Sequence, residues 1–256
     1  LPPAMINTPN GLFASDTPYA EVDDQNQRLD AAVGRLPARN AAELQTMVQK
    51  IIAYEQAVGT ERTAVLLAAD NNDAGGNFES DSTAIGQVLT SRLTVTTAYL
   101  GTMGLTNARQ RTLSALNSGF AVFNYSGHGA LDRMAQEGLL TSADVPSLTN
   151  ASRPALVVSM TCVMGRYSVP GYPCLGEDLL TRTGGGAAGI ISPVGLSNEG
   201  LAYPLNLALA RALAASPGRR LGDIWLEATQ EYLDDGFDSY LLGIYNVLSD
   251  PAMVVK

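Results

Sequence analysis

Residues 121–132 read AVFNYSGHGALD, and they hold the only histidine of the chain, His128. The first half is an apolar run of buried-strand character, and two glycines flank the imidazole directly after it. A second apolar run, ALVVSMTC at 155–162, ends in Cys162. Working outward, TAVLLAAD (63–70), TVTTAYL (94–100) and AAGIISPV (187–194) have the same character. Helical patterns separate them: DSTAIGQVLTSRL (81–93), TNARQRTLSALNSG (106–119) with Gly119 as stop, and LGEDLLTRTGGG (175–186). Two further helical stretches, 200–216 and 219–233, precede the closing GIYNVLSDPAMVVK. Apolar strands alternating with helices predict an open α/β sandwich, a mostly parallel sheet covered on both faces.

The first 30 residues are rich in Pro, Asn and Asp and read as loop with at most a short strand. AAVGRLP (31–37) reads as a short strand. Asn40, with Glu43 three positions on, has capping-box spacing for a helix that buries Leu44, Met47, Val48, Ile51 and Ile52 on one face. The chain divides on this reading into residues 1–60, the end of an N-terminal subdomain with a connecting helix, and residues 61–256, the main α/β unit.

Composition excludes several classes. Asp plus Glu number 25 against 16 Lys plus Arg, a net charge of -9, so phosphates find no basic stripe and nucleic acid is not an expected partner. No window approaches the roughly 18 apolar residues of a membrane span. Cys162 and Cys174 are too few for a disulfide framework, and one histidine is too few for the usual zinc sets. The chain begins with leucine, which predicts a mature fragment of a longer protein.

In parallel α/β sheets ligands gather outside the carboxyl ends of the strands. His128 and Cys162 follow two successive strands, so neighbouring parallel strands bring imidazole and thiol to one edge as base and nucleophile. The amides of Gly129 and Cys162 are the matching candidate oxyanion donors. The plain alternatives are a hydrogen-bonded loop histidine and a cysteine acting as a small buried hydrophobe. Spacing alone leaves both readings standing.

Four segments in this order, NYSGHGALD, LLTSADVPSLTN, PALVVSMTC and CLGEDLLTRTGGGAAGIISPVG, resemble the catalytic region of the gingipain-like cysteine peptidases, a bacterial family of the caspase-fold clan. VGRLPARNAAELQTMVQKIIAYE resembles the segment before it. YNVLSDPAMVV resembles the closing motif, with Ser249 where Gly is usual. The resemblance implies a caspase-like three-layer α/β/α sandwich. It implies Cys162 as nucleophile, His128 as acid/base, and the amides of Gly129 and Cys162 as oxyanion donors, acting on protein or peptide substrates in a secreted or cell-surface setting. It implies missing flanking domains.

For the carboxylate that orients the histidine, the candidates are Glu79 and Asp81 in NNDAGGNFESDS. ISPVGLSNEG (191–200) matches one wall of the family's specificity pocket, with Ser192, Ser197 and Glu199 as candidate substrate contacts and a basic residue as the expected preference. No cofactor is expected for catalysis. DNND (70–73) offers hard oxygen ligands for a structural calcium, since relatives bind one, although the spacing departs from an EF-hand loop. Cys174 and Glu177 read as structural, at a helix start. Transfer to an amine, as in the family's sortase-like members, and an inactive binding module are the alternatives to hydrolysis.

Overall fold

Valines, leucines and alanines fill AVLLAA, ALVVSM and the first half of AAGIISP, and every side chain in these segments is buried. Segments apolar on both faces need cover on both faces, and in the computed structural model each lies inside a six-stranded sheet. The structure describes residues 1–23, 28–215 and 217–256.

In chain order the strands are β1 (Ala4–Thr8), β2 (Gly11–Ser15), β3 (Ala64–Ala69), β4 (Thr94–Tyr99) and β5 (Val122–Ser126). They continue with β6 (Gly129–Ala130), β7 (Arg133–Met134), β8 (Leu140–Thr141), β9 (Ala155–Met160), β10 (Ala187–Pro193) and β11 (Tyr245–Leu248). The helices are α1 (Ala41–Gln56), α2 (Phe78–Leu89), α3 (Leu100–Met103), α4 (Leu105–Ser118), α5 (Leu175–Thr181), α6 (Glu199–Ala215), α7 (Leu221–Asp234) and α8 (Tyr240–Ile244).

The main sheet runs β11-β10-β9-β5-β3-β4, parallel except for β11, which lies antiparallel to β10. Alternation along each strand feeds two cores. Val65, Leu67, Val122, Leu156 and Val158 face one side with α2, α6 and α7, and Leu66, Phe123 and Val157 face the other with α4 and α5. A fully buried side chain of this size contributes roughly 1.5–3 kcal/mol, and a one-residue slip would exchange the two faces. Three layers result, the α/β/α sandwich with a mostly parallel central sheet that was expected.

Residues 1–60 pack onto the same unit: Phe13, Ile51 and Tyr54 join the core that holds β9 and β10. The opening stretch forms the β1–β2 hairpin, with residues 24–27 outside the described residues. AAVGRLP forms no strand; it runs beside β11 with the bond Arg35 N to Val247 O at 2.9 Å. On α1 the buried residues are Met47, Lys50, Ile51 and Tyr54, whereas Leu44, Val48 and Ile52 are exposed. Gly119 does stop α4, at φ 84°, a left-handed cap that favours glycine.

Candidate active site

Ser126 pairs with Ala69 on one side and Met160 on the other, so the chain leaves β3, β5 and β9 at one edge of the sheet. His128 and Cys162 therefore emerge side by side at the carboxyl end of adjacent parallel strands. Both line a cavity of ≈ 170 Å³, together with Gly75, Phe78, Ser197 and Glu199.

The main chain of His128 is pinned at both ends. Its amide donates to Asp70 Oδ2 (3.1 Å), and its carbonyl accepts from Tyr125 Oη (2.7 Å) and from the amide of Ala135 (2.8 Å). Burial pushes the Asp70 carboxyl up, against the two amides that stabilise its charge. Gly127, at φ 153°, allows this turn, because a side chain there would run into Asp70 and the Tyr125 ring.

The imidazole is held as firmly. Nε2 lies 2.9 Å from Asp73 Oδ2, the Phe78 ring meets it edge-on at 5.3 Å, and Gly75 packs against its Cε1. Asp73 also accepts from the amide of Gly75 (2.7 Å), and these bonds hold its carboxyl below the usual range. With Nε2 engaged by Asp73, Nδ1 is the nitrogen left for proton exchange. On its far side His128 borders a second cavity, ≈ 390 Å³, lined by Asp73, Gly129, Ala130, Arg133 and Gln136.

Cys162 is a free, half-buried thiol. Its Sγ accepts from the amide of Ser197 (3.4 Å) and lies 3.6 Å from the Ser197 carbonyl. The next residue, Val163, has φ 44°, a strained conformation for a β-branched side chain, and its amide donates to Gly195 O at 3.0 Å. Gly129 lies against this turn: a Cβ there would collide with Thr161 Oγ1 and stand 3.2 Å from the Cys162 carbonyl. The Gly129 and Cys162 backbones, the two expected oxyanion donors, are thus neighbours.

Three of the expected contacts are displaced. Glu79 accepts from the amide and hydroxyl of Thr102 (2.8 and 2.7 Å), so it ties α2 to α3 instead of reaching the histidine. Asp81 faces Glu199. The histidine-bound carboxylate is Asp73, in the same loop but nearer the strand end. Ser192 is buried within β10 beneath Gly165 and does not line the cavity.

Ser197 and Glu199 do line it. Burial and the neighbouring Asp81 raise the Glu199 carboxyl to about 7, and its buried Oε1 has no partner among the described residues. Cys174 is buried, its thiol pushed up to about 12, and its amide donates to Glu177 at the start of α5. The DNND carboxylates are engaged by protein amides and His128, and no three metal-binding side chains gather among the described residues.

An imidazole and a thiol at the carboxyl edge of a three-layer α/β/α sandwich are the arrangement that the resemblance to caspase-fold cysteine peptidases implies. The chain belongs to peptidase family C25, whose family model matches residues 1–256. It is 23% identical to gingipain R2 of Porphyromonas gingivalis, across 99% of this chain and 36% of that protein. It is 28% identical to Lys-gingipain of the same organism, across 58% of this chain and 9% of that protein. The chain thus spans about a third of the length of gingipain R2. The crystal structure of the Arg-specific cysteine proteinase gingipain R superposes with a TM-score of 0.84 at 19% identity, covering 98% of this chain and 61% of that one. The complex of P. gingivalis RgpB pro- and mature domains gives 0.83 at 20%.

Proposed function

We propose that this chain is a cysteine endopeptidase working through Cys162 and His128. The observation that carries the reading is the shared cavity: Cys162 and His128 line one cleft, with the imidazole bonded to Asp73.

His128 takes the proton of the Cys162 thiol, and Sγ attacks the scissile carbonyl as thiolate, forming a C–S bond while the carbonyl electron pair moves to oxygen. The amides of Gly129 and Cys162 hold that oxyanion. The tetrahedral adduct collapses, the C–N bond breaks, and His128 gives its proton to the departing amine, leaving a thioester on Cys162. His128 then takes a proton from water, which attacks the thioester and releases the acid and the thiol.

A basic residue before the scissile bond is the proposed preference. Glu199 lines the cavity with Asp81 beside it, and a cation there would favour the charged carboxylate and supply the partner that Glu199 Oε1 lacks. The Arg specificity named for the solved relative supports the same choice. A site outside the cell is part of this proposal and rests on the family likeness.

The test is mass-spectrometric mapping after reaction with acyloxymethyl ketones carrying Arg, Lys, Asp or Asn. Labelling of Cys162 by the Arg or Lys probe, lost in His128→Ala, is the expected result. No labelling of a folded free thiol would leave a binding module as the better account. Capture of the thioester by an added amine distinguishes transfer from hydrolysis.

A further inference from the structure

We propose that Tyr245 is a positioning residue for the Cys162 thiol, acting through Ser197. The inference rests on Cys162 being the nucleophile, and its test reads the thiol directly.

Tyr245 opens β11 and is fully buried, opposite Pro193 of β10. Its Oη lies 3.1 Å from Ser197 Oγ, and the amide of Thr161, the residue before the nucleophile, also faces that oxygen. One phenol therefore meets both the end of the nucleophile strand and the loop that covers the thiol. Burial pushes the Tyr245 hydroxyl far up, so it stays protonated and keeps a hydrogen to donate.

From Ser197 the link continues to the sulfur, since its amide donates to Cys162 Sγ at 3.4 Å. The rest of the loop is fastened at different points: Val194 N to Ile244 O at 2.8 Å, Val163 N to Gly195 O at 3.0 Å, and Tyr240 Oη to Leu196 O at 2.7 Å. Those bonds fix residues 194–196. The Oγ–Oη bond ties the Ser197 side chain to β11, and the amide of the same residue meets the thiol. Without it the backbone of Ser197 gains freedom, and the sulfur loses a fixed donor.

The experiment is a double-mutant cycle on Tyr245→Phe, Ser197→Ala and the double variant. It reads the rate of Cys162 alkylation by iodoacetamide at neutral pH, located by peptide mass spectrometry. Cys174, buried and with its thiol raised, is the internal control. Each single change should slow alkylation of Cys162 about threefold to tenfold, and the double should be no slower than the slower single. With a peptide substrate, kcat should fall by a similar factor while KM holds within about twofold. Multiplying effects, or alkylation unchanged in both singles, would overturn the proposal. The expected cycle in a chain whose wild type cleaves no peptide would uphold the Tyr245 link and overturn the peptidase reading. Ser197 is on a surface loop, so Ser197→Ala keeps the test open even where Tyr245→Phe folds poorly.

Discussion

Asp73 Oδ2 and His128 Nε2 are 2.9 Å apart, although the two residues are 55 positions apart in sequence. The bond joins the loop after β3 to the loop after β5, and it fixes which imidazole nitrogen is left to exchange protons. Replacing Asp73 by Asn removes the charge while keeping the shape. Peptidase kcat should drop about tenfold to a hundredfold. Glu79→Gln, which disturbs only the link to Thr102, should leave kcat within about threefold. Equal losses in both variants would remove Asp73 from its orienting role.

Glu199 carries a pH dependence whose sign follows from its environment. Its carboxyl is raised from 4.5 to about 7, with Asp81 also raised, so the pair holds a proton in acid and gains charge as pH rises. KM for a substrate with Arg before the scissile bond should fall as pH rises through about 7, and Glu199→Gln should flatten that dependence. A raised acid also costs folding stability above its unfolded value. Wild type should therefore lose thermal stability relative to Glu199→Gln from pH 4.5 upward, with the loss complete past about 7.

Gly129 leaves no room for a methyl group, because Thr161 Oγ1 occupies the place of a Cβ. Gly129→Ala should cut kcat/KM by roughly 10²-fold or more through displacement of the candidate oxyanion donor, with the circular dichroism spectrum of wild type retained. Adding Thr161→Ala should restore part of the loss. Full activity in Gly129→Ala alone would show that this backbone takes no part in the reaction.

Lys50 offers a stability measurement far from the thiol. Its ammonium is buried, donates to the carbonyls of Leu179 (2.7 Å) and Gly185 (3.1 Å), and desolvation lowers it from 10.5 to about 7. The unfolded chain keeps that proton up to 10.5, so stability should rise with pH between about 7 and 10.5. Melting curves across that range should show the rise in wild type, and a difference from Lys50→Met that changes with the same slope. Parallel curves would mean that the ammonium stays charged in the fold.

The sequence disclosed what continuous patterning carries. β3 and β9 are almost wholly apolar and β5 and β10 largely so, and that pattern announces a buried parallel sheet. His128 and Cys162 were legible because each directly follows such a strand. Asp73 was not: Asp70, Asp73, Glu79 and Asp81 have equal claims by spacing, and only the turn from Asp73 to Gly76 selects one. Gly75 and Gly76 were the available signal, since both lack side chains where the loop closes over His128 and Glu199. α1 has apolar residues on two stripes, and its period admits either. Packing chose Met47, Ile51 and Tyr54, and placed Lys50 among them because its carbonyl acceptors come from residues 179 and 185.

The row of strand ends has a consequence for the order of events in the life of the chain. Asp73, His128, Cys162 and Ser197 each arrive on a different strand, and the strands that carry them become neighbours only through pairing distant in sequence. Pairing between strands distant in sequence carries a loop-closure cost that slows folding. A nascent or half-folded copy holds the same thiol and imidazole without their juxtaposition, so on the proposed mechanism it carries the two groups without the site. The proposed site is thus a property of the closed sheet and of no single segment of the chain.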